Sequence, residues 1–247
     1  MLIIVCLVTV ISSVAAKVPT LNQQYGIVGF LAQLRSSVEP PASNMNFVRY
    51  SLEMQALAND WASRCSNTYP NVTQFPQFKG TGMTIQTFYN KRPRFSDVSL
   101  IANEASNYNY DRNRCNGVCR NYKTMVKEAT TKVGCAIKKC SRRRRQDNEQ
   151  YYLICALNRA DKVKRRPYRK GKSCTECPKN YKCTYKLCIR SNGNNGIPLQ
   201  FTKGPENTTK KPTQPEIEAT ISASTTQPDV VPPFDDSTEP GATDIST

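Results

Sequence analysis

Ten cysteines follow a short apolar leader: Cys65, Cys115, Cys119, Cys135, Cys140, Cys155, Cys174, Cys177, Cys183 and Cys188. The leader, MLIIVCLVTVISSVAA (residues 1–16), ends in Val14, Ala15 and Ala16, which suits cleavage before Lys17. It is shorter than the stretch of about 20 apolar residues that a membrane helix needs, so it reads as a signal peptide and the chain is expected to be secreted and extracellular. Cys6 leaves with it, and no transmembrane segment is expected after its removal. An even set of thiols in an oxidising compartment pairs into cystines, so five disulfides are expected to dictate the fold. Zinc is the alternative for Cys174, Cys177, Cys183 and Cys188, whose spacing suits a tetrahedral site, but disulfide formation competes for the same thiols.

Charge is distributed unevenly. The chain carries 35 Lys and Arg against 19 Asp and Glu, a net +16, yet the segment 212–247 holds seven acidic residues and no basic one. Basic residues gather in Lys138, Lys139 and Arg142 to Arg145, and again in Lys162, Lys164, Arg165, Arg166, Arg169, Lys170 and Lys172. Guanidinium forks suit sulfate, phosphate and carboxylate, so Arg142, Arg143, Arg144, Arg145, Lys164, Arg165 and Arg166 are the candidate anion contacts. The partners this implies are a glycosaminoglycan, an anionic lipid surface or an extracellular protein, with nucleic acid disfavoured by the compartment. The run Arg142 to Arg145 also fits a processing signal. Asn71 and Asn207 head N-glycosylation sequons. The chain contains no histidine, so a serine or cysteine nucleophile lacks its commonest base and no enzyme is expected.

Apolar periodicity places the elements. Ile27, Leu31 and Leu34 mark a helix that Pro40 and Pro41 stop. Ser43 or Asn44 is expected to cap a second helix with the stripe Tyr50, Met54, Leu57, Trp61 and Cys65. The segment 69–79 lacks a period and reads as a surface loop, whereas GTGMTIQTF (80–88) alternates as a strand, with Met83, Ile85 and Thr87 on one face. Val98, Ile101, Ala105 and Tyr108 predict a third helix, and Val118, Tyr122, Met125 and Ala129 a fourth. Val133, Cys135 and Ile137 then pair with Tyr151, Leu153, Cys155 and Leu157 in a hairpin whose tip is the polar loop 140–149. These elements make an α+β domain over 17–172, followed by a cysteine-rich hinge over 173–190 that needs almost no core of its own. Residues 191–247 read as a disordered Ser/Thr/Pro-rich acidic tail, suited to O-glycosylation.

The series LRSSVEPPASNM (34–45), LANDWASRC (57–65), NEASNYNY (103–110), CNGVCRNY (115–122), TKVGCAIKKC (131–140) and YYLIC (151–155) resembles the cysteine-rich secretory, antigen 5 and pathogenesis-related superfamily. Within it, the glioma pathogenesis-related and helminth venom allergen-like proteins are the nearest in pattern, and PYRKGKSCTECPKNYKCTYKLC (167–188) resembles their hinge. The resemblance implies an α-β-α sandwich with the pairs Cys65–Cys140, Cys135–Cys155, Cys115–Cys119, Cys174–Cys183 and Cys177–Cys188. It also implies a pocket in which two histidines and two acidic residues hold a divalent metal. Those four positions fall here on Leu31, Met83, Glu104 and Asn121, so the site is expected to be degenerate, with no bound metal and no cofactor. The function implied is that of a non-catalytic extracellular interaction module with a basic surface. Lipid or sterol carriage through an apolar crevice near the strand 80–90 is the alternative.

Overall fold

The computed structural model describes residues 16–140, 149–161 and 163–191. The signal peptide, Arg142 to Arg145, Lys162, Asn207 and the acidic tail lie outside the described residues.

Helix α1 (Leu21–Ser36) buries Ile27, Val28, Leu31, Ala32 and Arg35, a spacing that keeps one face against the core. Gln23 accepts from the Thr20 N–H at 3.0 Å at its start, and the Ser37 hydroxyl donates to the Gln33 carbonyl at 2.8 Å at its end. After the prolines the chain runs extended through Ala42 to Val48 into β1 (Arg49–Tyr50). Helix α2 (Leu52–Ser63) therefore starts later than the sequence suggests. Its cap is Ser51, whose hydroxyl accepts from the Met54 N–H at 3.4 Å, and Tyr50 belongs to the sheet instead of the helical stripe. The extended stretch is favoured because Ser43, Asn46 and Phe47 pair their backbone with the distant segments 169, 128 and 188, a satisfaction that a longer helix would forfeit.

A four-stranded sheet forms the centre, in the order β1-β5-β6-β2, from β1, β5 (Lys132–Lys139), β6 (Gln150–Asn158) and β2 (Thr81–Tyr89). β5 and β6 form the expected antiparallel hairpin with Cys135 opposite Cys155, β2 lies antiparallel along β6, and β1 is parallel to β5. Side chains divide strictly by parity. Val133, Cys135, Ile137, Leu153, Cys155 and Leu157 join α1 in one core, whereas Ala136, Tyr152, Ile154 and Ala156 join Met54, Ala58, Trp61 and Phe78 in the other. Covered on both faces, β6 is a continuous apolar run. Two cores around one sheet make the α-β-α sandwich.

Glycines set the closeness of these layers at two points. A Cβ on Gly134 of β5 would lie 2.0 Å from the Gln55 backbone nitrogen of α2, and one on Gly82 of β2 would lie 2.4 Å from the Ala160 carbonyl oxygen.

On the α1 side, the segment expected as a third α-helix winds as a 3-10 helix (Phe95–Asn107). Its buried residues, Phe95, Val98 and Ile101, recur every three positions, which matches three residues per turn. A short hairpin, β3 (Tyr108–Asn109) with β4 (Arg114–Cys115), leads to α3 (Arg120–Met125). The fourth helix is thus shorter than expected: Val118 precedes it and is 67% exposed, because the Cys115–Cys119 disulfide holds its approach in a tight loop.

Five disulfides are formed: Cys65–Cys140, Cys115–Cys119, Cys135–Cys155, Cys174–Cys183 and Cys177–Cys188. The last two hold the hairpin of β7 (Tyr181–Thr184) and β8 (Leu187–Arg190). That hairpin is docked on the main domain. The Phe47 N–H donates to the Cys188 carbonyl at 3.0 Å, the Cys188 N–H donates to the Met45 carbonyl at 2.7 Å, and Leu187 lies in the α1 core.

Candidate functional site

Of the four positions assigned to the metal pocket, the structure joins two directly. Glu104 comes from the 3-10 helix and Asn121 from the first turn of α3, and the Asn121 Nδ2 donates to the Glu104 Oε1 at 2.8 Å. The other glutamate oxygen accepts from the Tyr122 N–H at 3.0 Å. Leu31 is not part of this group. It sits in the α1 core, while Met83 points to the α2 core, so the sheet separates them. The periodicity that buries Leu31 is the reason: it is a stripe residue of α1, whose side chain faces the sheet.

Tyr69 takes the place that Leu31 was expected to fill. It stands in the aperiodic loop after α2, and its hydroxyl donates to the Asn121 Oδ1 at 3.2 Å. The same oxygen accepts from the Ile85 N–H at 3.1 Å, and the Asn121 Nδ2 is 3.4 Å from the Ile85 carbonyl. The carboxamide is therefore saturated: two donors reach its oxygen, and its nitrogen gives both protons away. The Arg120 guanidinium lies 3.6 Å from the Tyr69 ring centroid, a cation-π contact on the outer side. Burial pushes the Tyr69 phenol up, against the field of Arg120. Sequence spacing gave no sign of Tyr69 or Arg120, because the loop that carries Tyr69 has no period.

A divalent metal of the histidine-rich type does not fit these residues. Such an ion needs free lone pairs from several imidazoles or carboxylates. Here one carboxylate is present, both its oxygens receive hydrogen bonds, and the amide beside it offers no free ligand atom. The space next to Met83, lined by Tyr69, Gly82 and Arg120, is only about 100 Å³. The sulfurs of Cys174, Cys177 and Cys188 approach one another closely, but all three are cystine sulfurs and supply no thiolate. The arrangement ties the 3-10 helix, α3, β2 and the loop after α2 together through one carboxamide.

The basic residues divide by what they touch. Arg166 is spent on structure, its Nε donating to the Tyr110 carbonyl at 3.1 Å and its Nη2 to the Asp111 carbonyl at 2.6 Å. Arg169 pairs with Glu176 at 3.1 Å and Lys170 with Asp111 at 3.7 Å. Lys164 and Arg165 are exposed, and the Asn113 side chain donates to the Lys164 carbonyl at 2.9 Å. The segment 164–170 thus runs along the turn between β3 and β4, and brings Lys164 and Arg165 beside the exposed Arg112 and Arg114. Lys123 lies under this turn with its Nζ 3.0 Å from the Asn113 Oδ1; burial, then the charge of Lys127, lowers its pKa. Asn71 is exposed, with its Oδ1 accepting from the Thr73 N–H at 3.0 Å.

A family model described as the cysteine-rich secretory protein family matches residues 28–157. Mouse (Mus musculus) glioma pathogenesis-related protein 1 is 30% identical over 163 residues, which are 64% of this chain and 60% of that protein. The chain therefore spans less than two thirds of that relative. Among solved structures, the hookworm platelet inhibitor superposes with a TM-score of 0.56 at 16% identity, over 72% of this chain and 95% of that one. NaASP2, solved with Zn2+, gives a TM-score of 0.52 at 21% identity, over 68% and 96%. At those identities both show the fold alone.

Proposed function

The chain belongs to the cysteine-rich secretory protein family, and from that premise we propose that it is a secreted, non-catalytic interaction module that binds an anionic extracellular partner through its basic surface. The observation that carries the reading is the packing of segment 164–170 along the β3–β4 turn, where Arg112, Arg114, Lys164 and Arg165 are all exposed. Exposed cations gathered in this way attract sulfated or phosphorylated surfaces through a salt-sensitive field. Arg142 to Arg145, which fall between β5 and β6 in the sequence and lie outside the described residues, add to the basic charge of the chain. The saturated Asn121 carboxamide supports a binding role without metal chemistry. The Cys65–Cys140 and Cys135–Cys155 cystines suit an oxidising environment.

Retention of the secreted protein on immobilised heparin tests the reading. Binding should fall steeply with rising salt, and replacing Arg112, Arg114, Lys164 and Arg165 by glutamine should weaken it. Equal retention of this variant and the wild type at every salt concentration would remove the basic face from the account.

A second reading, lipid carriage, has an observation of its own. A groove of about 770 Å³ runs between α1 and the 3-10 helix, floored by Ile27, Phe30, Phe95 and Val98, with Lys17 and Arg92 among its lining. An apolar floor with cationic groups suits an amphiphile bearing an acid group. The groove, and not the neighbourhood of β2, is where a lipid would sit, because the space beside Met83 is too small. Mass spectrometry of organic extracts from the purified protein would reveal such a ligand.

A further inference from the structure

A second group of unpaired arginines lies elsewhere, on elements that the sequence clusters do not include. A cleft of about 470 Å³ opens where the start of β1, the turn after β6 and the end of β8 come together, lined by Arg49, Arg159, Arg190, Lys132, Tyr50 and Tyr181. Among the described residues, none of the three guanidinium groups meets a carboxylate or a carbonyl. Lys132 alone is paired, to Glu53 at 2.8 Å. Like charges held along one wall repel each other unless an anion joins them. Such an arrangement is therefore poised for a ligand.

Arg159 adds an independent sign. Its φ of 55° is left-handed, a conformation that a long side chain rarely adopts and glycine enters freely. Both neighbours are fixed. The Asn158 Oδ1 accepts from the N–H groups of Thr131 and Lys132 at 2.9 and 2.8 Å, and Ala160 is buried against Gly82. The turn therefore has no freedom to relax, and it presents an arginine to solvent where glycine would be the cheaper residue.

We propose that this cleft binds a sulfated segment of a glycosaminoglycan, with sulfate groups on Arg49, Arg159 and Arg190 and a sugar ring against Tyr181. Guanidinium forks donate paired hydrogen bonds to sulfate oxygens. Because the three arginines come from three separate elements, they suit several anionic groups spaced along a chain. The proposal rests on the reading of the protein as an extracellular binder of anionic partners, and assigns that partner a chemical class and a seat.

Calorimetry on the full-length secreted protein with a heparin-derived tetrasaccharide, and with its desulfated counterpart, provides the test. The sulfated form should bind and the desulfated form should not. The R49Q/R159Q/R190Q variant should lose affinity by about tenfold per arginine, as expected for charge-assisted hydrogen bonds. Arg159→Gly should lose about tenfold with an unchanged or higher melting temperature, which separates ligand contact from a structural role. Wild-type affinity for the tetrasaccharide in the triple variant would overturn the cleft and leave the wider reading standing if long heparin chains are still retained. Failure of the wild type to bind either heparin or tetrasaccharide would overturn both. Loss of binding to phosphatidylserine vesicles alone, with tetrasaccharide binding intact, would assign the cleft to lipid headgroups and sink the glycan proposal.

Discussion

Asn121 shows how much one short side chain can hold. Its carboxamide joins the 3-10 helix through Glu104, the strand through Ile85 and the loop after α2 through Tyr69. Truncation by Asn121→Ala strands the Ile85 N–H and the Tyr69 hydroxyl in a largely dry site. A stability loss of about 2–3 kcal/mol is expected in urea denaturation, since unpaired buried polar groups carry most of that cost. Adding zinc or a chelator should leave the melting temperature of the wild type unchanged, because no ligand set is present to respond. At this scale the sequence was only partly legible. Glu104 and Asn121 came from motifs that survive in the chain, and the structure sets them side by side. Leu31 was misplaced because a residue can match a pattern and still obey the stronger rule of its helix, which turns it into the core. Arg35 gave no signal at all. Its guanidinium is buried with relative exposure of 1% and donates to the carbonyls of Asn46 and Met125 at 2.6–3.0 Å, although an arginine near a helix end reads as a surface residue. Burial lowers its pKa, and the charge of Glu128 opposes the shift.

Elements were legible wherever one periodicity acted alone. β5 and β6 alternate in the sequence because their two faces enter different cores, and the hairpin register follows from that. The 3-10 helix was misread as α because Val98 and Ile101, three apart, fit both periods and Ala105 extends only the α one; Phe95 decides for three residues per turn and lies just ahead of the stripe. The start of α2 was misjudged for a non-local reason. Ser43 and Asn44 are good caps by type, but residues 43–47 are held extended by partners more than 80 positions away, which no local pattern reveals. The close seat of α2 on β5 gives a direct test. Gly134→Ala would drive a methyl into backbone at Gln55, which has no side-chain rotamer to yield. A destabilisation of about 3 kcal/mol is expected from this overpacking, measured as a lower denaturant midpoint with the disulfides intact.

At the scale of the described domain, stacked tyrosines join the cystines in holding distant segments together. Tyr110 stacks on Tyr168 with ring centroids 4.9 Å apart, and Tyr108 and Tyr122 adjoin them at 6.2–6.3 Å. Burial pushes Tyr50, Tyr108 and Tyr122 up to about 12, and burial raises Tyr168 as well. A phenol whose folded pKa lies above its unfolded value of about 10 favours the native state fully below that pH. The contribution fades as pH rises from about 10 through 12. Spectrophotometric titration should therefore show Tyr50, Tyr108 and Tyr122 ionising only at about 12, with thermal stability declining as the pH approaches that value. A single titration step with all tyrosines near 10 would contradict this packing. The sheet carries a further consequence at this scale. β2 is its outer strand, nine residues long, and strands of that kind invite a second chain to add alongside. Opposite Ile154, Ile85 sends both backbone groups outward, and the Asn121 amide meets them as a neighbouring peptide would. The residue standing where a metal ligand was expected therefore occupies, at Ile85, the backbone donor and acceptor that an added strand would use.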